Sequence, residues 1–429
     1  MKVPVALSGR FAAAESAEDS LALRYAAVRR TTEALAAPLT PEDQMLQSMA
    51  DASPVKWHRA HTTWFFETFL LLPHLRGYQA YHKNFTYLFN SYYNAVGERP
   101  ERPNRGLVSR PSNADVLCYR QYVDTAMARL LESDAAGGLA PLIELGLNHE
   151  QQHQELILTD IQHAFWTQPL RPAYREDVEE ASGSSTPLQW IQFPGGVYPL
   201  GHQSGGFAFD NEGPNHDVLL QPFELASRLV TNAEYLAFID DGGYQRPELW
   251  LSDGWEAVQS NRWQAPLYWL QEHGKKTWMH FTLSGVRELN LNEPVCHVSF
   301  YEADAYSRWA RARLATEFEW ETAARTSADA SYGALLEDER FHPTATHAGG
   351  GLQQLFGDAW EWTASPYVAY PGYRPSEGAL GEYNGKFMCN QMVLRGGSCA
   401  TARSHIRATY RNFFPPHARW QFSGIRLAQ

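Results

Sequence analysis

Three histidines in this sequence have the types and spacing to hold a catalytic metal ion. His149-Glu150-Gln151-Gln152-His153 puts two imidazoles four residues apart, within the longest unbroken helical pattern of the chain. Side chains so spaced share a helix face. The stripe through Leu142, Leu145, His149, Gln152/His153, Leu156 and Asp160 begins apolar and then turns polar. An unpaired buried imidazole costs about 1–3 kcal/mol, and one cation would satisfy both rings. A second helix supplies the complement. Trp57-His58-Arg59-Ala60-His61 sets His61 on a stripe with Pro54, Phe65 and Thr68, and His58 one turn before it. An isolated H-x3-H pair is more often a surface or core pair than a ligand set. The polar neighbours on the stripe and the second histidine pair argue for the metal. Three neutral imidazoles without cysteine leave the full 2+ charge on the ion and leave coordination positions open, as catalysis requires. Ligand type alone leaves zinc and iron both open.

Four helices must position these residues. The pattern predicts them from about Asp19 to Ala36, from an N-cap at Ser53 with Pro54 in the first turn to Leu72, from about Ser112 to Glu132, and from about Leu139 to Phe165. Amphipathic helices in this number read as a four-helix bundle over residues 1–166. Roughly 40 residues separate the second and third helices, too many for an ordinary bundle loop. Tyr78, Tyr81, Phe85, Tyr87, Phe89, Tyr92 and Tyr93 make that stretch too aromatic for disorder. Residues 167–188 read as a linker, with Glu179-Glu180-Ala181-Ser182-Gly183-Ser184-Ser185 at its centre. From 189 to 429 the composition changes: 11 of the 14 tryptophans lie there. Capping boxes at Thr231/Glu234, Ser299/Glu302 and Thr316/Glu319 announce three helices. The fold class is therefore α plus α+β, the second half being held by buried aromatics more than by regular sheet.

The bulk numbers narrow the partners. With 429 residues, Lys plus Arg at 36 and Asp plus Glu at 48, the formal charge is −12. An acidic chain without a basic stretch suits neither nucleic acid nor an anionic membrane surface. The N-terminus lacks the apolar core of a secretory signal. Cys118, Cys296, Cys389 and Cys399 are scattered, which favours a reducing cytoplasm over a disulfide framework. A homo-oligomer is compatible with all of this.

At this point the residues resemble a known family. Ser53-Pro-Val-Lys-Trp-His-Arg-Ala-His61-Thr-Thr-Trp-Phe-Phe-Glu67 and His149-Glu-Gln-Gln-His153-Gln-Glu155 resemble the DinB-like domain of ergothioneine-type sulfoxide synthases. Arg313-Leu-Ala-Thr-Glu-Phe-Glu-Trp-Glu-Thr-Ala-Ala-Arg325, Gly357-Asp-Ala-Trp-Glu-Trp-Thr363, Val393-Leu-Arg-Gly-Gly-Ser398 and Gly424-Ile-Arg-Leu-Ala428 are similar to the formylglycine-generating-enzyme fold, a C-type-lectin-like architecture. The copper site of the formylglycine enzymes needs a closely spaced cysteine pair, which Cys389 and Cys399 do not form, so the second half is expected to serve as a substrate wall.

The resemblance implies Fe(II) on His61, His149 and His153. It also implies a reaction joining hercynine, a cysteine-type thiol and O2 into a sulfoxide at imidazole C2. Gln152 would orient hercynine, and Asn412, Phe413 and Phe414 would face its trimethylammonium group. Members that use γ-glutamylcysteine carry an acidic residue where Phe414 stands, which favours free cysteine here. One of Tyr92 and Tyr93 is the expected proton donor; adjacent side chains rarely both face a site. Arg102 and Arg105 are candidates for a substrate carboxylate. The competing readings are an ovothiol-type histidine–cysteine sulfoxide synthase, a zinc-dependent DinB-type thiol transferase, and a binding module whose histidines merely staple the bundle.

Overall fold

The computed structural model describes residues 20–133, 136–176, 183, 185–271, 276–328, 330–346 and 349–429. The N-terminal stretch read for a signal and most of the Glu179–Ser185 segment lie outside the described residues.

Four long helices carry the first part of the chain: α1 (Leu21–Ala36), α2 (Val55–Phe66), α3 (Asn113–Leu131) and α4 (Ala136–Thr167). Ser20 caps α1, and a capping box of Ser112 and Asp115 starts α3. Their inward faces meet in one core that includes Tyr25, Trp57, Phe66, Val123, Met127, Ile143 and Leu147. Gly146 permits the closest approach, since a Cβ there would sit 2.6 Å from the Phe66 ring.

Two expectations about α2 need correction. Pro54, with ψ at 143°, is its N-cap rather than its first residue, and the Ser53 amide instead donates to Asp160 Oδ2 at 2.8 Å. The helix also does not run on as α to Leu72. Glu67–Leu71 form a widened π turn, and the shifted face lets both Leu70 and Leu71 be fully buried. Buried Glu67 accepts hydrogen bonds from Tyr78 Oη (2.7 Å), Tyr119 Oη (2.6 Å) and the Tyr81 amide (2.9 Å), which ties the long aromatic loop to α2 and α3.

The second part is β-rich with short helices. One sheet has the order β1 (Trp190–Phe193), β4 (Phe223–Ala226), β13 (Leu427–Ala428), β8 (Arg313–Leu314), and another the order β11 (Asn412–Phe414), β10 (Met392–Arg395), β9 (Trp360–Pro366), β12 (Ser423–Gly424). A hairpin of β2 (Gly196–Leu200) and β3 (His216–Leu220) and a meander of β5 (Trp269–Gln271), β6 (Trp278–Thr282) and β7 (Gly285–Glu288) complete the strands. All three expected capping boxes form, starting α5 (Asn232–Asp240), α7 (Phe300–Trp309) and α8 (Glu317–Thr326); α6 spans Ser252–Asn261. Between them Trp250, Trp269, Trp360, Trp362, Tyr235 and Tyr306 fill a core. Each such ring contributes on the order of 1.5–3 kcal/mol by leaving water.

The two parts meet along α4. That helix is not amphipathic in effect: most of Gly146–Phe165 is buried, polar residues included. Glu155 accepts from Trp360 Nε1 (2.7 Å), Ser398 Oγ (2.6 Å) and Thr401 Oγ1 (3.0 Å). Gln151 donates to Ser404 at 2.7 Å, and Asn148 pairs with His405 at 2.9 Å. The polar residues Asn148, Gln151 and Glu155 are therefore matched by partners from the β-rich part, while His153 and Asp160 of the stripe pair with His58 on α2.

Candidate metal centre and the cavity above it

His61 on α2 and His149 and His153 on α4 each bring a ring nitrogen within 4.8 Å of the others. The ring centroids lie 5.0, 4.8 and 4.7 Å apart for the pairs 61–149, 61–153 and 149–153. The surroundings fix these rings. Trp57 and Trp64, at i−4 and i+3 on α2, stack on the two faces of His61 at 4.5 and 5.5 Å. Its Nδ1–H donates to the Phe89 carbonyl at 2.6 Å, which leaves Nε2 with a bare lone pair. His153 Nδ1 lies 2.7 Å from His58 Nδ1, and His58 Nε2 lies 3.0 Å from Asp160 Oδ2. A carboxylate accepts, so His58 donates through Nε2, accepts from His153 Nδ1–H, and frees His153 Nε2. This is the outer-shell pattern that orients metal-ligating imidazoles. His149 Nδ1 is buried without a partner among the described residues.

Burial pushes all three rings below the ordinary histidine range, His149 to about 4. Neutral imidazoles are the form that binds a cation. The donor set is three nitrogens with no thiolate in reach, and it fits a divalent ion with open positions. Behind His149, fully buried Glu150 lies between Arg29 Nη1 (2.9 Å) and Arg120 Nη2 (3.0 Å) and accepts from Thr32 Oγ1 at 2.7 Å. Burial would raise its carboxyl, but the two guanidinium groups hold it down to about 2.

A cavity of about 270 Å³ opens over the histidines, at the small end of the range for ligand pockets. All eleven residues singled out from the sequence line it: His61, Tyr92, Tyr93, Arg102, Arg105, His149, Gln152, His153, Asn412, Phe413 and Phe414. Against expectation, both tyrosines do so, because Tyr92 and Tyr93 sit in an irregular turn where neighbours need not alternate. Tyr93 packs on Trp64 and Phe69, while the Tyr92 hydroxyl accepts from Arg102 at 3.1 Å. Gln152 donates to Tyr410 Oη at 2.8 Å. Phe413 stacks on Tyr367 at 4.0 Å, and Phe414 meets Trp420 edge-on at 6.0 Å. Asn412 Oδ1 accepts from the Phe413 amide.

Arg105 is buried rather than solvated. It lies 3.5 Å over the Trp57 ring and donates to Ser53 and Ser91, both at 2.9 Å. It pairs with no carboxylate among the described residues, and burial pulls its guanidinium down to about 9. A cation so placed favours an incoming anion.

Sequence reasoning passed over Tyr383, Trp420, Asn211 and Gln391, which also line the cavity. Tyr383 lies in a loop without periodicity, and nothing in the spacing marks it. Its hydroxyl bonds to none of the described residues, and burial raises its phenol well above the ordinary range.

Comparison with known proteins agrees with this arrangement. Residues 175–429 match the family described as Sulfatase-modifying factor enzyme 1-like domain. The hercynine oxygenase of Mycolicibacterium smegmatis is 33% identical over 362 residues, covering 77% of this chain and 80% of its own. That of Mycobacterium tuberculosis is 37% identical over 246 residues, covering 52% of this chain and 56% of its own. The formylglycine-generating enzyme of Bos taurus is 26% identical over 286 residues, covering 57% of this chain and 75% of its own. Helical ligands facing a β-rich wall, together with this similarity along both parts, identify the chain as a metal-dependent enzyme that belongs to the hercynine oxygenase family.

Proposed function

We propose that this chain is the iron(II)-dependent sulfoxide synthase of ergothioneine biosynthesis, joining hercynine C2 to the sulfur of cysteine with O2. Its helical part is read as a DinB-like four-helix bundle. The observation that supports it most is the convergence of three imidazoles, from two helices, beneath a cavity whose far wall is aromatic.

Bound at His61, His149 and His153, Fe(II) supplies the electrons and open coordination positions that O2 and a thiol require. The protein does the rest. Phe89 and the His58–Asp160 pair hold ligand lone pairs inward. Arg105, a buried cation without a carboxylate partner among the described residues, receives a substrate carboxylate, with Arg102 beside it. Gln152, its amide nitrogen engaged by Tyr410, keeps its carbonyl oxygen as an acceptor for an imidazole N–H. Phe413, Phe414 and the adjoining Trp420 offer ring faces to a trimethylammonium group, an attraction worth about 0.5–2 kcal/mol. One of Tyr92 and Tyr93 remains the proton donor read from the sequence. Tyr383 joins that pair, because its neutral phenol faces the cavity with its proton uncommitted.

Product mass spectrometry decides the reaction. Anaerobically iron-loaded protein given hercynine, cysteine and air is expected to yield the sulfoxide adduct, and replacing His61, His149 or His153 by Ala to abolish it. Adduct from γ-glutamylcysteine but not cysteine would overturn the Phe414 argument. Adduct from histidine in preference to hercynine would select the ovothiol-type reaction, and thiol transfer without O2 uptake the zinc reading.

A further inference from the structure

A second group of ligand-type side chains lies in the β-rich part and shares no residue with the cavity just described. His280 on β6, Glu293 beyond β7 and His342 in a later loop are all buried, and one ligand atom from each lies within 4.8 Å of the others. The two rings stand 4.9 Å apart at 82°. His342 Nε2 faces Glu293 Oε2 at 3.2 Å, and Asn290 donates to the other carboxylate oxygen at 3.3 Å. That leaves His280 Nε2 and His342 Nδ1 buried with no partner among the described residues. Each orphan of this kind costs on the order of 1–3 kcal/mol. Both rings also border a cavity of about 10 Å³, the space of a single water.

We propose that His280, Glu293 and His342 bind a divalent transition ion of the zinc class, with one water completing the coordination. Two neutral imidazoles and one carboxylate are borderline donors that suit such an ion and not calcium or magnesium. Glu293 brings the negative charge. Arg287 on β7, whose charge acts on both histidines, opposes the cation and makes the carboxylate indispensable. A space for one water admits no substrate, so the ion is structural. It ties the β5–β7 meander to the loop carrying Glu293, whose backbone carbonyl accepts from Asn232 at the start of α5, and to the loop carrying His342. Sequence spacing could not reveal it: the three residues stand 13 and 49 positions apart in sequence (280 to 293 to 342), with no helical period between them.

The direct test uses the unsubstituted full chain. Crystals grown with Zn2+ and measured across the zinc absorption edge are expected to show anomalous density between these three side chains, whatever ion occupies the first site. A solution arm follows. The variant with His61, His149 and His153 all changed to Ala should retain one equivalent of Zn2+ after dialysis, and adding His280→Asn and His342→Asn should remove it. Cobalt in place of zinc should give visible d–d bands that disappear with the same pair of changes. Absence of anomalous density at saturating Zn2+ would overturn the proposal, as would a zinc content indifferent to His280 and His342. Should the substituted chain fail to fold, the diffraction arm still decides.

Discussion

Each part of this molecule is built around a buried carboxylate gripped by two arginines, yet the two clamps serve different ends. In the helical part Glu150 lies between Arg29 and Arg120, one residue from His149 on the same helix. In the β-rich part Glu317 lies between Arg395 (2.9 Å) and Arg411 (2.8 Å), and Arg411 both lines the cavity and leads into Asn412–Phe414. The first clamp fixes the helix that carries His149 and His153; the second fixes a strand that lines the cavity. On the proposed function, rigid helices would hold the ion, where a small displacement would be costly. Strand ends and loops would hold the organic molecules, where side chains can vary without disturbing the ion.

The largest test of that division is to open each clamp. Glu150→Ala and Glu317→Ala each take a fully buried carboxylate from two guanidinium groups. Arg29, Arg120 and Arg395 keep Asp124, Glu33 and Glu321, whereas Arg411 keeps no carboxylate among the described residues. Removing one partner of a buried pair with no replacement costs about 3–5 kcal/mol. Denaturant unfolding should show a loss in both, the larger in Glu317→Ala. The functional readouts should separate: Glu150→Ala weakens metal affinity, whereas Glu317→Ala keeps the metal and raises KM for the organic substrates. Equal loss of metal in both would dissolve the contrast.

One buried carboxylate from each part, Asp358 and Glu150, should respond oppositely to acid. Burial raises the Asp358 carboxyl to about 6, above the ~3.9 of an unfolded aspartate. Between these values the folded state keeps a proton that the unfolded state has released, so stability falls as pH rises through that window. The slope reaches at most about 1.4 kcal/mol per pH unit, or about 2–3 kcal/mol in all. Glu150, held down to about 2, contributes stability above the unfolded glutamate value, and this is lost as pH falls from about 4 towards 2. Asp358→Asn suits the position, whose φ of 55° asparagine tolerates. It should flatten the slope between pH 4 and 6 by the Asp358 share, leaving that of Glu155, Glu293 and Glu361, which burial also raises. Tryptophan fluorescence, dominated by the β-rich part, is the readout, with circular dichroism following the helices.

The same contrast governs what could be read from sequence. The four helices are legible because the 3.6-residue period and the capping residues act locally. His61, His149 and His153 stand out through spacing joined to polar neighbours on the buried stripe, a second histidine pair and the family resemblance. Errors fall where tertiary contacts override local rules. Ser53 Oγ, the atom a helix cap would have used, accepts from Arg105 while its amide donates to Asp160, and the π turn follows from core demands at Leu70 and Leu71. The all-round burial of α4 depends on partners such as Trp360 and Ser398, more than 200 residues away. Tyr92 and Tyr93 were findable as a chemical pair, but that both line the cavity depends on an irregular turn. Tyr383 and the His280–Glu293–His342 group have no period to betray them.

A smaller effect probes how the helical part tunes its ion. His58→Asn removes the acceptor that turns His153 Nδ1–H away from the metal, while leaving all three ligands in place. Loss of such an outer partner costs 10- to 100-fold in metal affinity, on the order of 1.4–2.7 kcal/mol. Competition with a chelator of known strength measures it. Unchanged affinity would mean that Trp57 and Trp64, stacked on His61, hold the site without the His58–Asp160 pair.

The smallest effect lies on the opposite wall. Phe414→Leu keeps apolar volume but removes the ring face, so it should cost only the cation–π share, about 0.5–2 kcal/mol or roughly 2- to 30-fold in KM. The loss should fall on hercynine and spare cysteine, because only hercynine carries the trimethylammonium charge. Unmethylated histidine, whose α-ammonium is also a cation but smaller and more strongly hydrated, should lose less than hercynine and serves as the comparison. If KM for cysteine rises instead, Phe414 faces the thiol substrate, and the aromatic contact to the trimethylammonium group must come from Phe413 or Trp420.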